Sequence, residues 1–238
     1  MKFKDAKFAS LYYMQQMETG YPGRLLPFVL EQLEDEKTVI DIGAGNGFFA
    51  IPMADAGHSV TAVEPSDKMA AILKESLTPS NSENISLELS SWEDWEGPYH
   101  DASICIHALY TMADKKLAIE KMIKLSSKRI VIIRNNSRMR TITGIIRSAL
   151  GVPDGADLNG QLESILQAFG LNYEITEIID ERDAVINDIE KEAESIMLRA
   201  NIPLEKHDEV TSLIKTHCRK REGKYIFPSL YCDNAYVF

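Results

Sequence analysis

No stretch of this 238-residue chain reaches the roughly 18 consecutive apolar residues that a membrane span needs. Its start, Met1-Lys2-Phe3-Lys4-Asp5, leads into a mixed aromatic and polar pattern without the apolar block of a secretory signal. Cysteine is scarce, with Cys105, Cys218 and Cys232 scattered and odd in number. They form no Cys-x-x-Cys pair and no His-x-x-x-His spacing accompanies them, so neither a disulfide framework nor a zinc site is indicated. A reducing, cytoplasmic setting is expected. Basic charge is also short, 26 Lys and Arg against 36 Asp and Glu, for a net charge of −10. A general nucleic-acid binder needs a basic face to neutralise phosphates, so nucleic acid is not the expected partner. Internal repeats and low-complexity segments are missing as well.

The charge is nevertheless uneven. Lys121, Lys124, Lys128, Arg129, Arg134, Arg138, Arg140 and Arg147 fall in a stretch without one acidic residue, whereas residues 151–198 hold twelve acidic residues against two basic ones. Both stretches can be solvated faces. Alternatively, Arg134, Arg138 and Arg140 leave a fifth strand near the active face and meet an anionic group on a substrate. The basic stretch also keeps RNA or DNA open as a secondary partner.

Alternating signals then give an architecture. Phe3–Met17 and Pro22–Gln32 read as leading helices around the turn cluster Gly20-Tyr21-Pro22-Gly23. Strands are expected at Thr38–Ile42, Ser59–Val63, Ile85–Leu89, Ala102–Ile106 and Arg129–Ile133, with helices at Phe48–Ala56, Asp67–Leu77 and Lys115–Leu125 between them. Near-continuous apolar runs such as Ile130-Val131-Ile132-Ile133 suit strands buried on both faces. Further on, helices are expected at Thr141–Leu150 and Leu158–Phe169 around the turn 151–155. A sixth strand follows at Asn172–Ile179, then helices at Asn187–Ala200 and Leu204–Lys220, and an edge strand at Ala235–Phe238.

The most informative stretch is Thr38-Val39-Ile40-Asp41-Ile42-Gly43-Ala44-Gly45-Asn46-Gly47-Phe48, with Glu64 ending the next apolar run. A strand enters a turn with glycines on alternate positions, where positive φ and close ligand approach are both tolerated. An acidic residue about 20 positions on is where a doubly wound sheet grips a ribose. A dinucleotide fingerprint G-x-G-x-x-G would need its third glycine at position 48, which is Phe48.

The pattern Asp-x-Gly-x-Gly-x-Gly, continued by Val63-Glu64-Pro65-Ser66-Asp67-Lys68-Met69, resembles the class I S-adenosylmethionine-dependent methyltransferases over roughly residues 38–134. That resemblance implies an α/β fold: a doubly wound, mostly parallel seven-stranded sheet with an antiparallel edge strand and a helical cap. The chain is expected to be one domain, with leading helices at 1–36, a cofactor-binding half at 37–136, and edge strands with helical lid insertions at 137–238. It also implies an enzyme with S-adenosylmethionine as cofactor, leaving S-adenosylhomocysteine, and a small-molecule O or N acceptor. RNA or protein methylation, and a non-catalytic cofactor-binding protein on the same fold, stand as alternatives. A nicotinamide oxidoreductase is a rival opposed by Phe48.

By that resemblance Gly43, Ala44, Gly45, Asn46 and Gly47 meet the methionine part of the cofactor, with Asp41 beneath them holding the loop or reaching the ammonium. Asp41 can equally be a turn-stabilising carboxylate. Glu64 matches the family's ribose carboxylate, and Pro65 and Met69 line the adenine, although Met69 also suits core filling. Where the family commonly has an acidic residue for the adenine amino group, this chain has Ser91, followed by Trp92, which either covers the base or fills the core. The Asn/Asp-Pro-Pro-Tyr motif of amino-group methyltransferases is missing after the fourth strand, and Cys105 lies inside that strand. His107 and Tyr110 remain as catalytic candidates, His107 as a neutral base or as a hydrogen-bonded structural histidine. No metal ligands are visible at the strand ends.

Overall fold

The computed structural model describes residues 5–153 and 155–238. Phe3 and Lys4 of the expected leading helix and Asp154 of the expected turn lie outside them. In chain order the elements are helices α1 (Ala6–Glu18) and α2 (Leu25–Gln32), strand β1 (Thr38–Ile42), α3 (Ala50–Asp55), β2 (Ser59–Val63), α4 (Asp67–Ser76), the short α5 (Pro79–Ser82), β3 (Ile85–Glu88) and β4 (His100–Ile106). The chain continues through α6 (Lys115–Leu125), β5 (Ser126–Arg134), α7 (Ile142–Ala149), α8 (Leu158–Ala168), β6 (Glu174–Ile186), α9 (Ile189–Ala200), α10 (His207–His217), β7 (Arg219–Arg221) and β8 (Lys224–Val237).

Local chemistry explains the helix starts. The side chains of Asp5, Ser66, Asp114, Thr141 and Asp157 each accept a backbone N–H three residues on, at 2.7–3.2 Å. Each satisfies an otherwise orphaned helical donor.

The strands lie in the order β3-β2-β1-β4-β5-β8-β6, with β7 on the outer part of β8. The first five are parallel, and β8 runs antiparallel to both β5 and β6. The antiparallel member therefore stands one strand in from the edge, β6 is outermost, and the short β7 makes an eighth strand. Successive side chains of a strand face opposite ways. Val39, Ile104 and Ile130 accordingly meet α2 and α3 on one face, whereas Ile40, Cys105 and Val131 meet α6 and α8 on the other. Chain order reverses between β1 and β4, and the crevice at that switch is where such sheets take ligands.

The second half departs from its expected bounds. The sixth strand continues to Ile186 and the last begins at Lys224, so the two pair over their whole length, from Glu174↔Val237 to Ile186↔Tyr225. Only Asp233–Val237 of β8 pairs with β5. The rest forms a two-stranded arm running past the carboxyl ends of the parallel strands, toward the crevice. Pro228 sits within it without breaking a ladder. Leu230 exchanges both backbone hydrogen bonds with Arg140 on the side away from β6, so the position two residues earlier faces that same open edge.

The expected helix over Leu204–Lys220 starts with a 3-10 turn at Leu204–Lys206, ends at His217, and gives way to β7. Ile142 and Ile146 of α7, Ile196 and Met197 of α9, Val210 and Ile214 of α10, and Phe227 of the arm form a separate apolar core. That core is the cap. Helix α1 lies beside it, with the Gln15 amide donating to Glu192 of α9 at 3.3 Å. Among the described residues no helix is long and apolar enough to cross a membrane.

Candidate active site

The loop after β1 is pinned from beneath by the end of β2. The Gly43 and Ala44 N–H groups donate to the Val63 carbonyl at 2.8 and 3.2 Å. Gly43 has φ 72°, and a Cβ there would stand 2.6 Å from the Ala108 Cβ, so the turn and the neighbouring strand end both demand glycine. Glu64 completes the joint: one carboxylate oxygen accepts the Gly45 N–H at 2.8 Å and the other the Ser66 N–H at 2.7 Å. Burial pushes the Glu64 carboxyl up, against those two hydrogen bonds.

A cavity opens above this loop, with about 730 Å³ of empty space partly continuous with solvent. Asp41, Gly43, Ala44, Gly45, Asn46, Glu64, Pro65, Met69, His107 and Tyr110 all line it. Two of these carry buried atoms without a partner among the described residues: the acceptor Asp41 Oδ2 and the donor Asn46 Nδ2. Unpaired buried polar atoms are costly, so a pair of opposite type on one wall marks a place for a ligand with both a cation and an anion. Burial, and then the nearby Glu64 charge, raise the Asp41 carboxyl to about 7.

His107 follows β4 with φ 52°, uncommon for a residue with a Cβ and costing on the order of 1–3 kcal/mol. Hydrogen bonds on both sides hold it there. Its Nε2 stands 2.7 Å from Asp233 Oδ1, and its Nδ1 lies 3.3 Å from the Tyr21 hydroxyl. Burial and then the Arg134 charge pull His107 below its ordinary value, despite Asp233. Burial opposes ionisation of Asp233, but the His107 hydrogen bond and the Arg134 and Arg182 charges outweigh it and keep that carboxyl low. The imidazole is therefore neutral, giving its Nε2–H to Asp233 and taking the Tyr21 proton at Nδ1.

Tyr21 is set by its turn. Gly23 has φ 55°, and a Cβ there would fall 2.0 Å from Asp180 Oδ2, which accepts the Arg24 N–H at 3.1 Å. Arg182 donates to the Thr19 carbonyl at 2.8 Å, fastening the joint between α1 and α2 to β6. The Tyr21 ring meets Phe48 and Phe49 edge-on. Phe48, at the position where a dinucleotide site would need glycine, thus becomes part of the aromatic wall.

Three expected residues lie outside the cavity lining. A Cβ on Gly47 would meet Leu73 and Ile51, so Gly47 faces the packing beneath α4. Ser91 gives its hydroxyl to Asp94 at 2.6 Å. Trp92 is a core residue: its indole N–H donates to the Ala118 carbonyl at 3.1 Å and Lys121 stands 4.9 Å over its ring. Tyr12, Tyr21, Phe49 and Thr111 line the cavity without having been singled out, and Asp233 supports His107 from the far end of the chain. The turn cluster around Tyr21 was a visible signal; Asp233 offered none. Cys105 is buried within β4, its thiol pushed by burial to about 12. Among the described residues no group of three or more His, Cys, Asp or Glu is placed to hold a metal ion.

The basic stretch does not form one face. Lys121 binds the carbonyls of Trp92 and Trp95, Lys128 that of Gln32, and Arg147 that of Pro153. Arg138 pairs with Glu177 at the surface, and Arg140 is exposed over the Phe227 ring. Because Trp92 packs away from the cavity, Trp92→Phe is expected to cost about 1 kcal/mol through its lost hydrogen bond. Chemical denaturation should read that loss, while affinity for S-adenosylhomocysteine stays unchanged.

A family model described as a methyltransferase domain matches residues 39–128. Ubiquinone biosynthesis O-methyltransferase of Nitrosomonas europaea is 33% identical over 125 residues, 51% of this chain and 50% of that protein. The chain thus spans about half the length of that relative. Among solved structures, one described as a methyltransferase of an antibiotic biosynthesis pathway in Anabaena variabilis has a TM-score of 0.63 at 15% identity, covering 93% of this chain and 99% of its own. The YcgJ protein of Bacillus subtilis gives 0.57 at 15%, covering 89% and 95%. Magnesium protoporphyrin IX methyltransferase of Synechocystis, solved with bound S-adenosylhomocysteine, gives 0.53 at 15%, covering 90% and 82%. Likeness at such identities speaks for the fold: the chain has the Rossmann-like fold of the class I methyltransferases, and the stretch that matches the methyltransferase-domain model includes the glycine loop.

Proposed function

We propose that this chain transfers a methyl group from S-adenosylmethionine to an oxygen or nitrogen of a small molecule, acting as one domain with its cap as the lid. The observation carrying this reading is the unpartnered pair on the loop wall. Asp41 Oδ2 would take an ammonium and Asn46 Nδ2 a carboxylate, the two ends of an amino-acid moiety. Glu64 keeps lone pairs beyond those used by Gly45 and Ser66, and would accept ribose hydroxyls. Pro65 and Met69 would flank the base. The relative's role in ubiquinone biosynthesis and the S-adenosylhomocysteine bound in the Synechocystis enzyme support a methyl donor and a small acceptor.

When bound, the cofactor supplies an activated methyl group. The chain's own residues must then align the acceptor, exclude water and take up a proton. Tyr12 and Tyr21 lie over the crevice, and Tyr110, half-exposed, stands at its rim to orient an incoming molecule. The Tyr21 hydroxyl stands next to Nδ1 of His107 and also lines the cavity. An acceptor proton would pass to the Tyr21 oxygen as the Tyr21 proton moves to Nδ1, with Asp233 stabilising the imidazolium. The dispersed basic residues favour a small molecule over a polynucleotide.

Incubation with methyl-labelled S-adenosylmethionine and a panel of small phenols and amines is expected to label at least one acceptor. Tight donor binding with no labelling of any acceptor would favour the non-catalytic reading. Glu64→Ala should weaken S-adenosylhomocysteine binding by about 100-fold or more, the worth of two charge-assisted hydrogen bonds; unchanged affinity in calorimetry would remove the ribose role.

Asp41 gives a pH test. Its raised value means the folded protein retains a proton between about 4 and 7 that the unfolded chain has lost, so its burial erodes stability as pH rises through that window. An ammonium beside it would ionise it. Binding of S-adenosylhomocysteine near pH 6.5 is therefore expected to release a proton, seen as a binding enthalpy that varies with the buffer's ionisation enthalpy. Asp41→Asn should abolish that variation.

A further inference from the structure

Three arginines lie beneath the cap, and two of them are paired with carboxylates of the protein. Arg182 stands 3.2 Å from Asp180, donates to the Thr19 carbonyl at 2.8 Å and lies over the Tyr231 ring. Arg199 pairs with Glu192 at 3.3 Å and donates to the Ser195 carbonyl at 3.2 Å. Arg134 differs. Among the described residues its partly buried guanidinium has no carboxylate within 4 Å and no hydrogen-bond acceptor. Five donors in a fixed fork are left without protein partners and stay open to a ligand or solvent.

Its position follows from the sheet. Arg134 ends β5 and stands opposite Asp233 of β8 in the antiparallel ladder, so the two side chains share a face. Asp233 turns to His107 on that face, and the His107 N–H donates to the carbonyl of Ile132, two residues before Arg134. The guanidinium therefore stands beside the Tyr21–His107–Asp233 chain, on the side away from the glycine loop. Its charge is felt by Tyr12, Tyr21 and Tyr110, which line the cavity. The expectation that Arg134, Arg138 and Arg140 act together separates here: Arg138 and Arg140 are exposed, whereas Arg134 is half-buried and stands next to the lining of the cavity rather than within it.

We infer that the methyl acceptor is an anion, and that Arg134 binds its carboxylate or phosphate oxygens in a two-pronged contact, turning the reactive hydroxyl or amine toward Tyr21 and His107. A planar fork meets such oxyanions with paired hydrogen bonds. Fixing the far end of a small acceptor in this way sets the angle at which its nucleophile approaches. The inference rests on the reading of the cavity as a methyl-donor site, and its test separates the two.

Protein with ¹⁵N-labelled arginine, free and loaded with S-adenosylhomocysteine, is titrated with benzoate, phenyl phosphate and the neutral benzyl alcohol while the arginine Nε–H resonances are followed. The Arg134 signal is assigned by its loss in Arg134→Lys. Saturable shifts of that signal with benzoate or phenyl phosphate, and none with benzyl alcohol, are expected; whichever anion binds tighter identifies the oxyanion preferred. Arg134→Met should weaken that anion about 10- to 100-fold while retaining its thermal transition, and Arg134→Lys should fall between. No saturable shift with either anion, or equal affinity in Arg134→Met, overturns the anionic acceptor. Calorimetry with S-adenosylhomocysteine on the same samples reports the donor site independently, so a protein that binds this product yet ignores both anions sinks this inference alone.

Discussion

One carboxylate oxygen of Glu64 holds the Gly45 N–H and the other the Ser66 N–H, and the rest of the site depends on this buried joint. It ties the loop after β1 to the start of α4, two segments just over 20 residues apart in sequence and neighbours only because β1 and β2 pair in register. Removing the carboxylate would leave two buried donors unsatisfied and free the loop that carries Asn46. The same group presents its remaining lone pairs to the cavity. In the proposed function one side chain would thus supply both structure and recognition, and its closeness to Asp41 raises that neighbour's carboxyl too.

The opposite wall is made by the second half of the chain. The β6–β8 arm overruns β5 and brings Asp233 to His107, while Asp180 and Arg182 on the same arm fix the turn that holds Tyr21. An imidazole held between a carboxylate and a phenol has one defined tautomer, which is what proton transfer from a fixed direction requires. The cap adds an apolar core of its own beside this wall.

The first half was legible because its signals are local. Apolar runs such as Val39-Ile40 and Ile130–Ile133 suit strands buried on both faces, and Gly43 has a positive φ and a close approach that favour glycine. Asp41, Asn46 and Glu64 could be placed at the cavity because they sit at fixed offsets from that turn. The arm was not legible. Pro228 interrupts a strand pattern, and it is tolerated only because its edge of β8 lacks a ladder partner there, which is a property of the folded sheet. Trp92 was ambiguous for a related reason: a tryptophan after a strand end can cover a base or fill a core, and here the Ala118 carbonyl and Lys121 decide it. The Asp233–His107 contact spans 126 residues, beyond any spacing rule.

The most direct measurement of the central claim is a crystal structure of the protein grown with S-adenosylhomocysteine. The account predicts its amino-acid end against Asp41 and Asn46, its ribose hydroxyls on Glu64, and its sulfur facing the side where Tyr21 and His107 stand. Density for the nucleoside anywhere else, or a crevice that stays closed to it at saturating concentration, would contradict it.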